Sequence, residues 1–585
     1  MKWFWFQAMF GVMAVMFTAS CASWMGPPKA YDIEVEGVRP RQLAKEAVRV
    51  TEAEAFRTVP VTGVGALNRR VQPDAETMRR FLRSRGHYGA AVEVRVEEGR
   101  KRPVVIFSAT NLQVFVVDRV EVEVLGLELA PTSGLRGEVA GFAEIRGDER
   151  SVRRQVMEKG FPLARTAERR VVADHETGKV EVRLVMEPGP EAVFGPVEIE
   201  GLNNVRERFV RNLIPWVEGE RYAVGAVEEY RLRLAESGLF SMVEVSVTGE
   251  VDEHGVFPVQ VRLAERRRQA VQAGVAYRTD QGFETSAGWQ FRNVGGHGEA
   301  LEVSGVWAEE RIEAHVGLRL PQIRHPRQSL LLRVGYEEER PDAYSSKSFR
   351  ASAMFDRELS RRVRVQPGVA FRVSEVDQLG EEEDYLLVSA PVGLVWSTRD
   401  DVLDPRSGHH FHGVVEPFYD LDSASLGFVK SRATERVYVK LTRDRSMILA
   451  GRLTVGSIAG AGVGSVPADE RFYAGGGASV RGYGYQKIGP RKNGTPSGGR
   501  SLFESSGEIR YQFSESFGAV VFLDGGAVFE EAFTDFSETL RWGTGVGLRY
   551  FTGFGPLRAD VGFPVNPATG ERSSPQVYIS IGQAF

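Results

Sequence analysis

The residues of this chain that could do chemistry are few, and the familiar catalytic arrangements are missing. No Gly-x-Ser-x-Gly turn is present to expose a nucleophilic serine. Cys21 is the single cysteine, so neither an internal disulfide nor a cysteine metal cluster can form. Gly460-x-Gly462-x-Gly464 ends a strand-like run and opens no helical pattern, so it is not a dinucleotide loop. His409, His410 and His412 lie close together, with His410 and His412 on one strand face, but no further metal ligand accompanies them. A net charge of −4 implies no nucleic-acid partner. Neither enzyme activity, cofactor nor metal is expected. The distinctive segment is Glu470 to Tyr485. There Gly475, Gly476 and Gly477 give the backbone freedom for a sharp re-entrant bend, and Val480, Arg481, Gly482 and Tyr483 follow. Arg481 is a permanent cation with a fixed fork of donors, which needs acceptors if it leaves water.

The elements around that segment alternate with a period of two. From Gln269 onward, sixteen apolar–polar runs of strand length follow one another, among them 269–278, 362–376, 385–398, 409–420, 425–441, 446–460, 501–513, 517–530, 540–552, 555–565 and 575–585. In 540–552, Trp542, Thr544, Val546, Leu548 and Tyr550 share one face, and Gly543, Gly545, Gly547 and Arg549 the other. In 555–565, Leu557, Ala559, Val561 and Phe563 oppose Arg558 and Asp560. An arginine facing lipid at mid-bilayer costs about 2–4 kcal/mol, so the charged faces are expected to line a lumen. No run after the N-terminus is long and apolar enough for a spanning helix, so membrane embedding must be by a closed barrel. Residues 461–500 form the longest link between runs. With the first strand running outward this link is extracellular, where long loops are expected.

The N-terminal half repeats. Three segments each carry a helix, a closing glycine, an aromatic or apolar residue and two alternating strands. The helices are read at Pro73–Arg85, Glu149–Lys159 and Gly225–Ser237, and the closing glycines are Gly86, Gly160 and Gly238. Each segment opens on a strand that ends in glycine, at Gly37, Gly126 and Gly201. The order strand, helix, helix, strand, strand resembles that of a POTRA domain, with modules at 29–112, 113–190 and 191–266 and the barrel at 267–585. Such modules can bind clients by lending a strand edge.

Together these motifs resemble the BamA/TamA superfamily of bacterial surface antigens, on its TamA side. Val480-Arg481-Gly482-Tyr483 matches the family's loop motif that folds back into the lumen. Phe522, Asp524 and Gly526 match its Phe-x-Asp-x-Gly strand motif, and Asp404-Pro405-Arg406-Ser407-Gly408 matches the turn before its ninth strand. The ending resembles its C-terminal assembly signal, with Tyr578, Ile579, Ile581, Gly582 and Phe585 on the final strand. The resemblance implies α+β POTRA modules in tandem followed by an all-β, sixteen-stranded antiparallel transmembrane barrel in the outer membrane, with the arm in the periplasm. It implies a pairing of Arg481 with Asp524. It also implies a non-hydrolytic factor that inserts or exports client proteins through a weak seam between first and last strands, with a TamB-like inner-membrane-anchored partner. Two other readings stay open: a two-partner secretion transporter that exports one dedicated client, and a lipid-trafficking or structural barrel.

Residues 1–20 read as a secretory signal: Lys2, then an apolar run from Trp3 to Phe17, then small residues. Cys21 stands where a lipoprotein signal places the acylated residue. Ala19 and Ser20 fit that pattern and Thr18 does not; the alternative is cleavage after Ala22. Intact mass spectrometry of membrane-extracted protein is expected to find a chain that begins at Cys21 and carries lipid. A mature chain that starts beyond Cys21 without lipid mass overturns this expectation.

Overall fold

The computed structural model describes residues 30–99, 102–247, 252, 255–422, 427–442, 446–536, 538–553, 555–568, 574–581 and 583–585. Cys21, the leader and Gly582 lie outside these residues. The chain divides into two compact units. One comprises residues up to 198 with 215–229 and 245–260, and the other 199–214, 230–244 and 261–585.

Three small α/β modules precede the barrel, and their three-stranded sheets share one order. In each, the first strand lies beside the last, and the middle strand pairs on the last strand's other side. In the first module Asp32–Glu36 runs parallel to Val104–Thr110, which pairs antiparallel with Ala91–Glu97. Its main helix is Val64–Ser84, not 73–85. The apolar stripe Leu67, Val71, Met78, Leu82 continues across Pro73, which is exposed, and burial of that stripe offsets the backbone bond proline cannot make. Asp74 on the same buried face accepts the N–H groups of Glu52 and Ala53 at 2.9 and 2.8 Å, capping the short helix Glu52–Ala55.

The second module departs from the expected two helices. Among its described residues it has one, Phe142–Met157, which starts seven residues before the expected 149. Pro131, Gly134 and Gly137 are poor helix formers. The segment they occupy is held instead by Asp148, which accepts from Ser133 Oγ (2.7 Å) and Gly134 N (2.9 Å). Phe115, Ile145, Val152, Val156, Val182 and Leu184 form its core. In the third module the helices are Glu207–Arg211 and Val224–Glu236. Gly86, Gly160 and Gly238 all have positive φ, as a closing glycine requires.

The barrel closes from Gln269–Arg278 to Gln576–Ile581, every neighbour pair antiparallel. Its eighth strand is in two pieces, Glu381–Ser389 and Val392–Ser397, which pair with the same neighbours on both sides of Ala390-Pro391. Counted as one strand, they bring the total to sixteen. Proline cannot donate to a ladder, and the strand is interrupted there with its register unchanged on both sides. Val271, Trp307, Val546 and Leu548 point outward into the bilayer, each more than half exposed. Tyr511, Phe513, Phe517 and Tyr550 form an outward cluster beside the turn between the twelfth strand, Ser501–Gln512, and the thirteenth, Phe517–Phe529. That is the aromatic girdle of a transmembrane barrel. No helix among the described residues is long and apolar enough to cross a membrane.

The final strand is shorter than 575–585. It stops at Ile581, and Phe585 does not extend its alternation. The Phe585 ring instead lies beside the guanidinium groups of Arg510 and Arg452, 5.3 and 5.5 Å from its centroid, and its carbonyl accepts from Arg510 at 3.1 Å. Cation–π attraction inside the barrel wins over continued pairing.

Closure is uneven. The first strand pairs with the second, Gly282–Arg292, through all ten of its residues. Among the described residues it meets the sixteenth at only Tyr277↔Ile579 and Arg278↔Tyr578, extended by Thr279 N to Val577 O at 3.1 Å. In hydrogen–deuterium exchange, the amides of 269–276 that point toward the sixteenth strand should therefore exchange faster than those bonded to the second. Equal protection on both sides would contradict this closure.

Candidate functional site

Residues 461–500 leave the eleventh strand, Met447–Ala459, and return inward to the twelfth. The loop carries a short 3-10 turn, Ala468–Glu470, and a small hairpin, Arg491–Lys492 with Thr495–Pro496. It is packed as a core, not as a solvated loop: Val466, Phe472, Val480 and Tyr483 are buried against wall residues such as Phe428 and Leu502.

Arg481 sits at the far end of this fold-back with 2% of its side chain exposed. Its Nε donates to Asp524 Oδ2 (2.6 Å) and Nη2 to Asp524 Oδ1 (2.9 Å), a bidentate grip. Nη1 reaches Glu508 Oε1 at 2.6 Å and Asp560 Oδ2 at 3.2 Å. The guanidinium lies 3.5 Å from the Phe522 ring centroid. Two of the three acids have a second cation, and Asp524 accepts from Ser506 Oγ as well. Arg510 Nε donates to Glu508 Oε2 at 2.8 Å, and Arg549 Nη1 to Asp560 Oδ1 at 2.5 Å. Burying several charges together is tolerable only with such mutual pairing.

Glycines make room for the loop. A Cβ on Gly543 would stand 1.9 Å from Arg481 O, and one on Gly562 would stand 2.7 Å from Gly482 N. Gly482 itself has φ +96°, and a Cβ on it would stand 2.6 Å from the Phe563 carbonyl carbon, so no side chain fits there. Its N–H donates to Tyr578 Oη at 3.1 Å, and that hydroxyl donates to Tyr483 O at 3.4 Å. Tyr578 thus ties the last strand to the loop.

A second anchor holds the near end of the loop with charges reversed. Asp469 and Glu470 both meet Arg372 of the seventh strand, Val363–Gln378. Lys430 of the tenth strand, Gly427–Lys440, donates to Glu470 Oε2 at 2.8 Å. Between the anchors Arg452 donates to Ala478 O and Ser479 O at 2.5 and 2.7 Å.

Sequence reasoning placed Arg549, Arg558 and Asp560 inward but did not join them to Arg481, and it missed Glu508, Tyr578's hydroxyl and the whole Arg372–Asp469–Glu470–Lys430 cluster. The acid pair just ahead of the glycine triplet was the available signal. Asp404 and Arg406 pair at 3.1 Å in the turn before the ninth strand, Gly408–Asp420. Burial raises the Asp400 carboxyl in that turn, but the N–H groups of Arg406 and Ser407 overcome it and hold it down to about 2. His409 points outward to Glu435 and Trp396, away from His410 and His412. No group of ligands that could hold a metal occurs among the described residues.

A cavity of about 380 Å³ opens at the sparse seam, lined by Gly274, Ala276, Gly477, Arg558, Ser580 and Ala584. Residues 293–585, half of the chain, match the Omp85 superfamily domain. The chain belongs to the Omp85 superfamily. Residues 192–266 of this Omp85 protein match a POTRA domain, described as a surface antigen variable number repeat. The chain is 24% identical over 425 residues to the outer membrane protein assembly factor BamA of Nitratidesulfovibrio vulgaris strain Hildenborough, covering 69% of this chain. It spans about half, 53%, of that relative's length. The fold resembles BamA of Haemophilus ducreyi lacking POTRA domains 1–3, with TM-score 0.59 and 17% identity over 76% of this chain and 95% of that one. CdiB of Escherichia coli is similar at TM-score 0.52 and 15% identity, over 80% and 91%. The Omp85 barrel lies in the outer membrane, with its POTRA region in the periplasm.

Replacing Arg481 with Ala should leave three buried carboxylates short of one cation and destabilise the folded loop by about 3–5 kcal/mol. Limited proteolysis within 461–500 and the temperature of heat-modified gel mobility read this out. Arg481→Lys should rescue it only partly, because an ammonium cannot grip Asp524 bidentately. Unchanged protease resistance in Arg481→Ala would refute the assigned role.

Proposed function

We propose that this protein assembles client proteins into the outer membrane, or exports them across it, by lending them a strand edge at the seam between its first and last strands. The observation that carries the reading is the contrast, among the described residues, between ten paired positions on one side of the first strand and two on the other. A closed barrel offers no edge, whereas a junction held by so few rungs can part at small cost and present unpaired backbone to an incoming strand. Arg481, Asp524 and Tyr578 serve as positioning residues that keep the loop against the strands beside that junction. Tyr578, Ile579 and Ile581 are the seam residues on the last strand.

In this reading the first two modules, 29–112 and 113–190, are POTRA-like domains that continue the one at 192–266. Their edge strands, such as Arg165–Asp174, pair with clients or with a TamB-like inner-membrane-anchored partner. The TamA-like role rests on the three modules and the chain ending quoted above. The rival class, export of one dedicated client through the lumen, needs no lateral opening.

Tyr277→Cys with Ile579→Cys, two residues directly opposed across the seam, discriminates these readings. Cys21 is left in place. The oxidised protein should fold and reach the outer membrane, yet fail to support client assembly until reductant is added. Full activity of quantitatively crosslinked protein would rule out lateral opening and favour passage through the lumen.

A further inference from the structure

Near the start of the ninth strand, the inward row that runs across the ninth to eleventh strands carries cations without acids. His410, Arg436 and Arg452 are direct cross-strand neighbours on one inward row. Side chains so placed are about 4.5–5.5 Å apart at Cβ, and like charges there repel. Arg364 and Arg399 lie close enough to act electrostatically on His410, and Arg399 and Arg436 act likewise on Tyr438. Arg364, Arg399, Arg432, Arg436 and Arg452 have no carboxylate within 4.0 Å among the described residues.

The acids that face this region are already engaged. Glu508 is held by Arg481 and Arg510, and Asp400 by Lys440 and the amides of its own turn. Glu435 lies on the outer face with His409. Buried polar atoms without a partner collect at the same place: His410 Nδ1, Tyr438 Oη and Arg510 Nη1. Arg510 lies over the Tyr438 ring at 5.7 Å. Burying such atoms is unfavourable if nothing meets them. Four of the side chains here, Arg399, Arg436, Arg510 and Tyr438, offer donors, and no free carboxylate opposes them. The ninth strand begins at Gly408 after a turn on the periplasmic side, so the group stands at the periplasmic mouth.

We propose that Arg399, His410, Arg436, Tyr438 and Arg510 form a binding site for an oxyanion of the phosphate class at the periplasmic mouth of the lumen. Several convergent arginine and hydroxyl donors match a tetrahedral oxyanion, and rings of arginine are how pores select such solutes. The phosphate can belong to a free solute or to a lipid headgroup, since both present the same oxygens.

Isothermal titration calorimetry on the full chain in non-ionic detergent at low salt tests the site, with inorganic pyrophosphate as probe. Wild-type protein should bind one equivalent, and added salt should weaken binding. Arg399→Gln with Arg436→Gln should weaken it by at least about ten-fold, the loss expected when one charge-assisted bond is removed. Tyr438→Phe, which keeps the ring, should weaken it by a smaller factor. Arg150→Gln with Arg153→Gln, on an exposed helix face of the second module, should leave it unchanged. A parallel titration with short-chain phosphatidic acid separates the sources: tighter binding than pyrophosphate assigns the site to a headgroup, and weaker binding to a free solute. Three results would overturn the proposal: no saturable heat from wild type with either probe, equal affinity in the double variant that still shows heat-modified mobility, or tighter binding of oligoglutamate than of both phosphates.

Discussion

A guanidinium taken out of water must find an acceptor for nearly every N–H it carries, and the barrel is organised around meeting that demand for Arg481. Its three acids come from three strands, Glu508 on the twelfth, Asp524 on the thirteenth and Asp560 on the fifteenth, Gly555–Pro564. The loop backbone must approach the wall closely enough for the cation to reach all three. That requirement sets the glycines on the fourteenth and fifteenth strands, where a single methyl would overlap the loop. It also sets the surplus arginines nearby, because three acids around one cation would otherwise be net negative in a poorly hydrated space. The arrangement is a network whose members lose their reason when any one is removed.

The two ends of the loop solve one electrostatic problem in opposite senses. At the far end the loop supplies the cation and the wall the acids; at the near end Asp469 and Glu470 supply acids to Arg372 and Lys430. A loop of one sign could slide along a wall of the other sign. With the sign reversed between its ends, only one placement pairs every charge. The apolar residues between the anchors then pack in a fixed register, which is why they are as buried as those of a soluble core.

The barrel was legible in the sequence because its faces obey a hard rule. Trp542 to Tyr550 can alternate with Gly543 to Arg549 only if lipid lies on one side, and the strand bounds found differ from the expected runs by a few residues. The arm was less legible. Pro73 reads as the start of a helix when seen alone, and only the stripe Leu67–Val71–Met78 reveals that the helix has begun earlier. The expected second helix of the middle module fails because tertiary bonds from Asp148 and Gln155 hold residues 132–134 in another shape, and such bonds leave no periodic trace. In the site, the resemblance paired two charged residues and the structure gathers many more. Cross-strand partners such as Glu508 and Asp560 lie far apart in sequence, so their meeting depends on barrel curvature.

The origin of the three acids also fixes an order in time. A chain that has formed its twelfth and thirteenth strands but not its fifteenth lacks Asp560, and it lacks the glycine at 562 against which Gly482 rests. Tyr578, which receives the Gly482 N–H, arrives only with the sixteenth strand. The loop is made before these strands but cannot settle until they are in place. Its docking therefore reports completion: a barrel without its last strands lacks the carboxylate, the glycine and the hydroxyl that hold the loop in place.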